Sequence, residues 1–200
     1  MRALILFSLA AALTTAQPKP DPLIGRWRST EVSPSGVTAV LEFRSDNKLD
    51  SYAAVITEGT YRLVGTDTIL LRSGDHHEEK QELEWDNQDR ARIEDEAAGK
   101  SIELVRVGKS ADSKNPLIGE WTTALEWHGT SYPARAVFFA NAKVLWITNL
   151  RAEHGYYSIR SHSIRLEIPN RPVVEGQFAV AGERLMLPNP KGAQSAFERF

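Results

Sequence analysis

The fold is decided by residues 22–27, which read Pro-Leu-Ile-Gly-Arg-Trp. The stretch returns at residues 116–121 as Pro-Leu-Ile-Gly-Glu-Trp, so five of six positions match at an offset of 94. An acid or an amide precedes each copy, at Asp21 and Asn115. Self-similarity at a fixed period is typical of a duplicated structural unit. The sequence therefore predicts one module that is present twice.

Three more pairs of segments support the duplication. They lie at offsets of 93 to 96: 43–49 with 138–144, 59–63 with 155–159, and 104–107 with 197–200. Such small drift in the offset indicates minor changes in loop length between the copies. We therefore predict two tandem modules, residues 21–107 and 115–200, joined by a polar linker at 108–114.

Each module has the residue pattern of short β-strands. Alternating or β-branched runs are separated by Gly, Asp, Asn and Pro about every ten positions, which is typical of strands joined by turns. The predicted strands of the first module are 24–31, 37–45, 48–56, 59–64, 68–73, 79–86, 90–96 and 101–107. Those of the second are 118–127, 132–140, 143–150, 155–160, 163–168, 173–180, 183–187 and 195–200. Residues 89–98 also allow a short helix, but their alternation favours a strand.

Eight consecutive strands per module predict an all-β protein made of two small up-and-down barrels. A barrel of eight strands has an interior that side chains can just fill, or that can hold one small ligand.

The pattern resembles the lipocalin-like domains, in particular the short bacterial type that opens with Leu-x-Gly-x-Trp. A Gly-x-Trp pair and one late arginine in each module carry the resemblance: Gly25, Trp27, Arg106, Gly119, Trp121 and Arg199. The resemblance implies that the arginine covers the indole where the first and last strands meet, a desolvated cation–π contact worth ~2 kcal/mol. Trp27 is then expected to pair with Arg106, and Trp121 with Arg199, as structural closures of the two barrels. The chain lacks the C-terminal helix of full-length lipocalins and its modules are shorter, which puts a large cavity in doubt.

The start of the chain has the features of a signal peptide. Met1 and Arg2 precede an apolar run at 3–13, and small residues at Thr14 and Ala16 suit cleavage after residue 16. The run is too short to span a membrane, which takes ~20 apolar residues, although an uncleaved anchor or a buried helix stays open. Residues 1–16 thus predict an exported protein, periplasmic or secreted.

Composition limits the possible partners. The chain has no cysteine, which excludes disulfides and thiolate chemistry and makes a bacterial envelope protein the natural setting. Its 24 basic and 26 acidic residues give a net charge of −2 without a basic stripe. We expect no nucleic-acid partner and, beyond the first residues, no transmembrane helix.

No catalytic or metal-binding pattern stands out. His76 and His77 invite a metal interpretation, but neighbouring strand residues point to opposite faces and a third ligand with recognisable spacing is missing. Ser161–His162 lies in a predicted turn, and no nucleophile elbow is present. We therefore expect a protein without catalytic residues, metal or cofactor.

The inward-facing aromatic residues form the candidate binding site. An apolar pocket with a few polar groups suits aromatics that carry a polar tip. The candidates are Phe43, Tyr61, Trp85, Phe138, Trp146, Tyr157 and Phe178. They predict an exported, non-catalytic protein that holds a small apolar molecule in one or both barrels. The alternative is a structural or protein-interaction module of the cell envelope with solidly packed barrels.

One strand of the second module is apolar on both faces. Leu145 and Ile147 flank the inward position Trp146 and are expected to face outward. Exposed apolar area usually marks an interface. The two barrels are expected to pack on each other there, with a partner protein as the alternative.

Overall fold

The computed structural model describes residues 22–74, 76–95, 99–108 and 115–200. Within these ranges it contains fifteen β-strands and no helix, so the all-β prediction is confirmed. None of the described residues belongs to a helix long and apolar enough to cross a membrane. The predicted signal peptide at 1–16, and the predicted linker apart from Gly108, lie outside the described residues.

The strands follow the predicted pattern closely. The first module contributes β1 (Gly25–Val32), β2 (Val37–Phe43), β3 (Lys48–Val64), β4 (Thr68–Ser73), β5 (Glu79–Asn87), β6 (Arg90–Asp95) and β7 (Lys100–Val107). The second contributes β8 (Gly119–Trp127), β9 (Thr130–Phe138), β10 (Lys143–Arg160), β11 (Ser163–Glu167), β12 (Val174–Gln177), β13 (Ala179–Ala181), β14 (Arg184–Pro188) and β15 (Gln194–Arg199).

The main difference is that each of two predicted hairpins is one continuous strand. β3 joins the predicted strands 48–56 and 59–64, and β10 joins 143–150 and 155–160. Neither junction contains a Gly or Pro before Gly59 or Gly155, and neither has an Asn-Gly or Asp-Gly turn signal. The backbone therefore continues extended where a hairpin would reverse it.

The long strands β3 and β10 pair with each other along most of their length. Thirteen antiparallel register pairs run from Lys143 opposite Thr60 to Tyr156 opposite Lys48. These end pairs are equivalent under the sequence repeat, so the two modules meet with approximate two-fold symmetry. A single bulge, between Asn149 and Arg151, interrupts the ladder.

This pairing closes a sheet that we call the central sheet. It contains the second half of β3, the strands β4 to β9 in sequence order, and the first half of β10. It therefore combines the last strands of the first module with the first strands of the second. β7 does not return to β1 but pairs with β8 across the module boundary.

The remaining strands form the flanking sheet. It runs from the second half of β10 through β11 and β12, and from β13 through β14, β15, β1 and β2 to the first half of β3. Phe178 alone separates β12 from β13, and its amide donates to the His162 carbonyl at 3.1 Å. The first module's β1 thus pairs with the second module's β15.

The exchange of strands corrects the predicted tryptophan–arginine pairs. Arg199 lies over Trp27 with 4.2 Å from Cζ to the ring centroid, and Arg106 lies over Trp121 at 4.0 Å. The predicted pairs, Trp27 with Arg106 and Trp121 with Arg199, are wrong. The reason is that each first strand lies beside the last strand of the other module.

Each hydrophobic core is built from both modules. The central core contains Leu83 and Leu104 of the first module with Trp121 and Phe138 of the second. The flanking core is Leu23, Trp27, Leu41, Phe43, Leu49, Tyr157, Ile164, Leu166, Leu185, Leu187 and Phe197. Because each core needs both modules, neither module buries its apolar face alone.

Candidate functional site

A cavity of about 1070 Å³ opens inside the central sheet. The cavity lies toward the end of β8. Trp121, near the start of this strand, is fully buried, whereas Leu125 and Trp127, near its end, line the cavity. Apolar side chains from five different strands form much of its wall: Leu71, Ile93, Ile102, Leu125 and Trp146. The site is therefore made by both modules together.

The opposite end of the central sheet is sealed around Trp121. Its indole Nε1 donates to the Leu117 carbonyl at 2.8 Å. Arg106 stacks on the indole and donates to the carbonyls of Gln88 at 3.2 Å, Ile118 at 3.1 Å and Pro116. Burial lowers the pKa of Arg106 from its ordinary value, and nearby Asp89 opposes that shift. These contacts give the guanidinium nitrogens hydrogen-bond partners and close this end of the central sheet.

Glycine is required beside each stacked arginine. Gly119 has φ +130° and Gly25 has φ +128°, a backbone region that side chains rarely adopt. A Cβ at Gly119 would lie 3.1 Å from Nη1 of Arg106, and a Cβ at Gly25 would lie 2.6 Å from Nη1 of Arg199. The Gly-x-Trp motif therefore makes room for a guanidinium from the other module.

Equivalent positions in the two sheets differ in side-chain volume. In the central sheet Ala91 lies opposite Leu104, whereas in the flanking sheet Leu185 lies opposite Phe197. The strands also differ in length, since β5 has nine residues and its counterparts β12 and β13 have four and three. Ala91 and Leu104 belong to the packed central core, so the space of the cavity lies beyond them, where the longer strands extend, while Leu185 and Phe197 pack in the flanking core.

Of the predicted interior aromatics, Trp146 lines the cavity. Tyr61 and Phe138 pack edge to face at 4.9 Å in the central core, and the Tyr61 hydroxyl donates to the Phe139 carbonyl at 3.0 Å. Trp85 is half-buried near Trp121, at 6.1 Å between ring centroids.

The other predicted aromatics belong to the flanking sheet. Phe43 and Tyr157 pack edge to face at 5.1 Å, and the Tyr157 hydroxyl donates to the Arg44 carbonyl at 2.8 Å. Phe178 is partly buried against the same core. These three side chains contribute to packing on the side of the molecule away from the cavity.

One polar side chain in the cavity wall lacks a hydrogen-bond partner. Gln81 lies on β5 on the same face as Leu83, and its Oε1 is buried without a partner among the described residues. The prediction from sequence missed Gln81 because only apolar and aromatic residues were assigned inward. The alternation of Gln81, Leu83 and Trp85 along β5 is the signal from which it could have been identified.

The wall of the cavity has a gap between β7 and β8. These strands pair only at Val105–Thr122, Arg106–Trp121 and Val107–Glu120. Nearer the open end β7 pairs with β6 and β8 with β9, but not with each other. Lys100 Nζ and Glu126 Oε2, 3.2 Å apart, bridge the gap at its outer end.

Leu145 and Ile147 lie where the two sheets meet. Both are buried, with 8% and 3% of their surface exposed, and Ile147 packs with Val40 and Ala54 of the first module. Their apolar surface is therefore covered within the chain.

A half-buried ionic cluster also joins the central sheet to the flanking sheet. Glu120 accepts from Arg26 at 2.8 and 2.9 Å and from Arg135 at 2.8 Å, and Glu42 lies 3.3 Å from Arg26. Burial disfavours the charged form of Glu120, but both arginines outweigh it and hold the pKa of Glu120 below its ordinary value. The cluster joins β1 of the flanking sheet to β8 and β9 of the central sheet.

The described residues contain no group of three or more His, Asp or Glu side chains that could hold a metal ion. No protein-family model, curated protein or solved structure matches the chain. The function proposed below therefore rests on the geometry of the cavity.

Proposed function

We propose that the protein is an exported, non-catalytic binding protein that holds a small apolar molecule in the cavity of the central sheet. The main support for this proposal is the cavity of about 1070 Å³, which is closed at the end of the sheet that contains Trp121. Ligand pockets typically measure roughly 300–1,000 Å³ and have mainly apolar walls with a few polar groups. In this proposal the two sheets are lipocalin-like barrels whose strands are exchanged between the modules.

The two sheets have different roles in this proposal. The central sheet binds, because its wall residues Ile102, Leu125 and Trp146 face open space. The flanking sheet supports it, because its own core is packed by side chains that include Leu185, Leu187 and Phe197. The protein acts outside the cytoplasm, which the signal-like residues 1–16 support.

Filling the cavity tests the proposal. Ile102→Trp places a large ring in the space, and Ser195→Trp is the matched control because Ile102 lies opposite Ile93 as Ser195 lies opposite Leu187. We expect the wild type to bind the neutral dye Nile red saturably, measured by fluorescence titration. The affinity should fall at least about tenfold in Ile102→Trp, since a ring that blocks the pocket removes more than ~1.4 kcal/mol of binding.

The control variant shows whether the dye binds in the cavity of the central sheet. Ser195→Trp should bind the dye as the wild type does. Equal dye affinity in wild type and Ile102→Trp would show that the dye does not use this cavity, and no saturable binding of any apolar probe to the wild type would contradict the proposed function.

A further inference from the structure

Beyond its register pairs with β8, strand β7 has backbone groups without a ladder partner. The amide of Arg106 donates to the Asp89 carbonyl at 2.9 Å, on the β6 side of the strand. Because the backbone direction alternates along a strand, Ser101 and Glu103 point their N–H and C=O groups the other way, into the gap. No described residue pairs with them on that side.

β8 presents the matching edge. A two-residue turn with positive φ at both positions joins β8 to β9, which makes Trp127 and Thr130 a hydrogen-bonded pair. Alternation then turns the backbone of Ala124 and Glu126 away from β9 and toward the gap. Pro133 lies opposite Ala124 and has no N–H, which agrees with this direction.

Both edges are accessible. The four residues whose backbone faces the gap are exposed: Ser101, Glu103, Ala124 and Glu126. Every residue from 122 to 127 also lines the cavity, so β8 borders open space with both of its faces and with the edge between them. The Ala124 carbonyl accepts one long contact, 3.5 Å from the Thr123 hydroxyl, which a better aligned donor can replace.

The edge of β8 matches an extended peptide. Ala124 and Glu126 each offer one donor and one acceptor at the two-residue repeat of a strand, and main-chain hydrogen bonds to such an edge hold an added strand. β8 is the longer of the two edges, since six consecutive residues line the cavity against four of β7, 100–103.

The same edge borders the apolar part of the cavity. Leu125 lies between Ala124 and Glu126 along β8, and its side chain lines the cavity together with Ile102 of β7. An apolar chain attached to a peptide on this edge can therefore reach the cavity. The Lys100–Glu126 ion pair crosses the gap at its outer end, but both side chains are exposed, so separating them costs little.

We propose that the ligand is an N-acylated peptide, whose acyl chain occupies the cavity of the central sheet and whose amides add as a short strand to the edge of β8 at Ala124 and Glu126. This inference rests on the proposed function, because it requires that the cavity binds an apolar group. It assigns the class of molecule that carries the group, an acyl peptide rather than a free lipid.

The first test compares probes with one acyl chain: methyl octanoate, octanoyl-trialanine amide, and two analogues of this peptide. One analogue is N-methylated at the middle alanine and the other at the two outer alanines. Calorimetric titration of the full chain should show the peptide binding on the order of tenfold more tightly than methyl octanoate.

The two methylated analogues report the pairing itself. Successive amides of an extended peptide point to opposite sides, so only one analogue loses the donors that face β8. We expect that analogue to bind at least about tenfold more weakly than the parent peptide, and the other to bind within about threefold of it.

The second test removes a donor from the protein. Ala124→Pro deletes the N–H on the edge of β8, where the pairing with β9 does not use it. The variant should lose the advantage of the acyl peptide and bind methyl octanoate as the wild type does. Ala124→Val is the matched control, because it keeps the N–H and should keep the advantage. Thermal unfolding checks that both variants are folded, and the methylated probes test the pairing on the wild type alone.

The outcomes separate the two claims. No saturable binding of any probe to the wild type would contradict the proposed function, and the inference with it. Binding of methyl octanoate as tight as that of the acyl peptide, equal affinities of the two methylated analogues, or an advantage that survives in folded Ala124→Pro would overturn the inference while the proposed function stands.

Discussion

At the scale of single residues, each module supplies one arginine that packs on a tryptophan of the other module. Arg106 and Arg199 both stack on an indole and donate to backbone carbonyls just before the Gly-x-Trp motif. Each guanidinium thereby fastens the start of one module to the last strand of the other. An ammonium group on lysine would keep the charge but lose the flat stacking surface and the fork of donors.

The pairing can be measured by double-mutant cycles. We expect Trp27→Phe and Arg199→Lys to be coupled by about 1–2 kcal/mol in the free energy of unfolding, since they change the same cation–π contact. Trp27→Phe and Arg106→Lys should be additive within about 0.5 kcal/mol, because they lie in different sheets. Urea unfolding of the single and double variants gives both values. Coupling of Trp27 to Arg106 instead would mean that each module closes on itself.

At the scale of elements, the limited pairing of β7 with β8 determines access to the cavity. The strands separate beyond Val105 and Thr122, so the wall opens sideways, and the Lys100–Glu126 ion pair spans the opening near the solvent. A surface ion pair of this kind is worth only about 0–1 kcal/mol. The gap can therefore widen at little cost, and we expect a ligand to enter through it.

A disulfide across the gap tests this route. The chain has no cysteine, so Glu103→Cys with Ala124→Cys introduces one bond, two residues along each strand beyond the last register pair, Val105 with Thr122. Stopped-flow fluorescence should show dye uptake at least about tenfold slower when the bond is formed and normal after reduction. The control is Thr30→Cys with Ala196→Cys, the equivalent positions between β1 and β15, which should leave uptake unchanged. Equal rates in the oxidised and reduced gap variant would exclude this entrance.

Strand positions could be predicted from the sequence because they depend on local pattern. Alternation and turn residues placed almost every strand within a few residues, and Trp146 was correctly placed on the inner face. Gln81 was missed because the prediction assigned only apolar residues to the interior. The partner of each strand could not be predicted, since both modules carry the same pattern and β1 fits β7 and β15 equally well by that pattern. The continuous extended backbone through residues 56–58 and 149–154 decides which strand β1 pairs with.

At the scale of the whole molecule, the two modules form one interdependent body. β3 and β10 share thirteen register pairs, and both cores and both tryptophan–arginine contacts combine residues of the two modules. A module on its own would expose the apolar faces that its partner covers.

Separate expression of the modules tests this dependence. We expect residues 21–107 and 115–200, produced as two chains, to combine into a one-to-one complex that unfolds cooperatively and binds Nile red. Either chain alone should fail to form a stable monomer, because half of each core is missing. Light scattering with size-exclusion chromatography and urea unfolding provide the readouts. A chain of residues 21–107 that folds cooperatively as a monomer would contradict the exchange of strands.

The pairing of β1 with β15 also sets an order of events during synthesis. The strands of the central sheet are contiguous in sequence, and the flanking sheet surrounds them on both sides. The ribosome therefore completes the strands of the central sheet before it has synthesised β11 to β15, the strands that complete the flanking sheet with β1 and β2. Non-local pairing of this kind forms late. The cavity can consequently take shape first, and the flanking sheet, completed by the last strand, then encloses an already assembled centre.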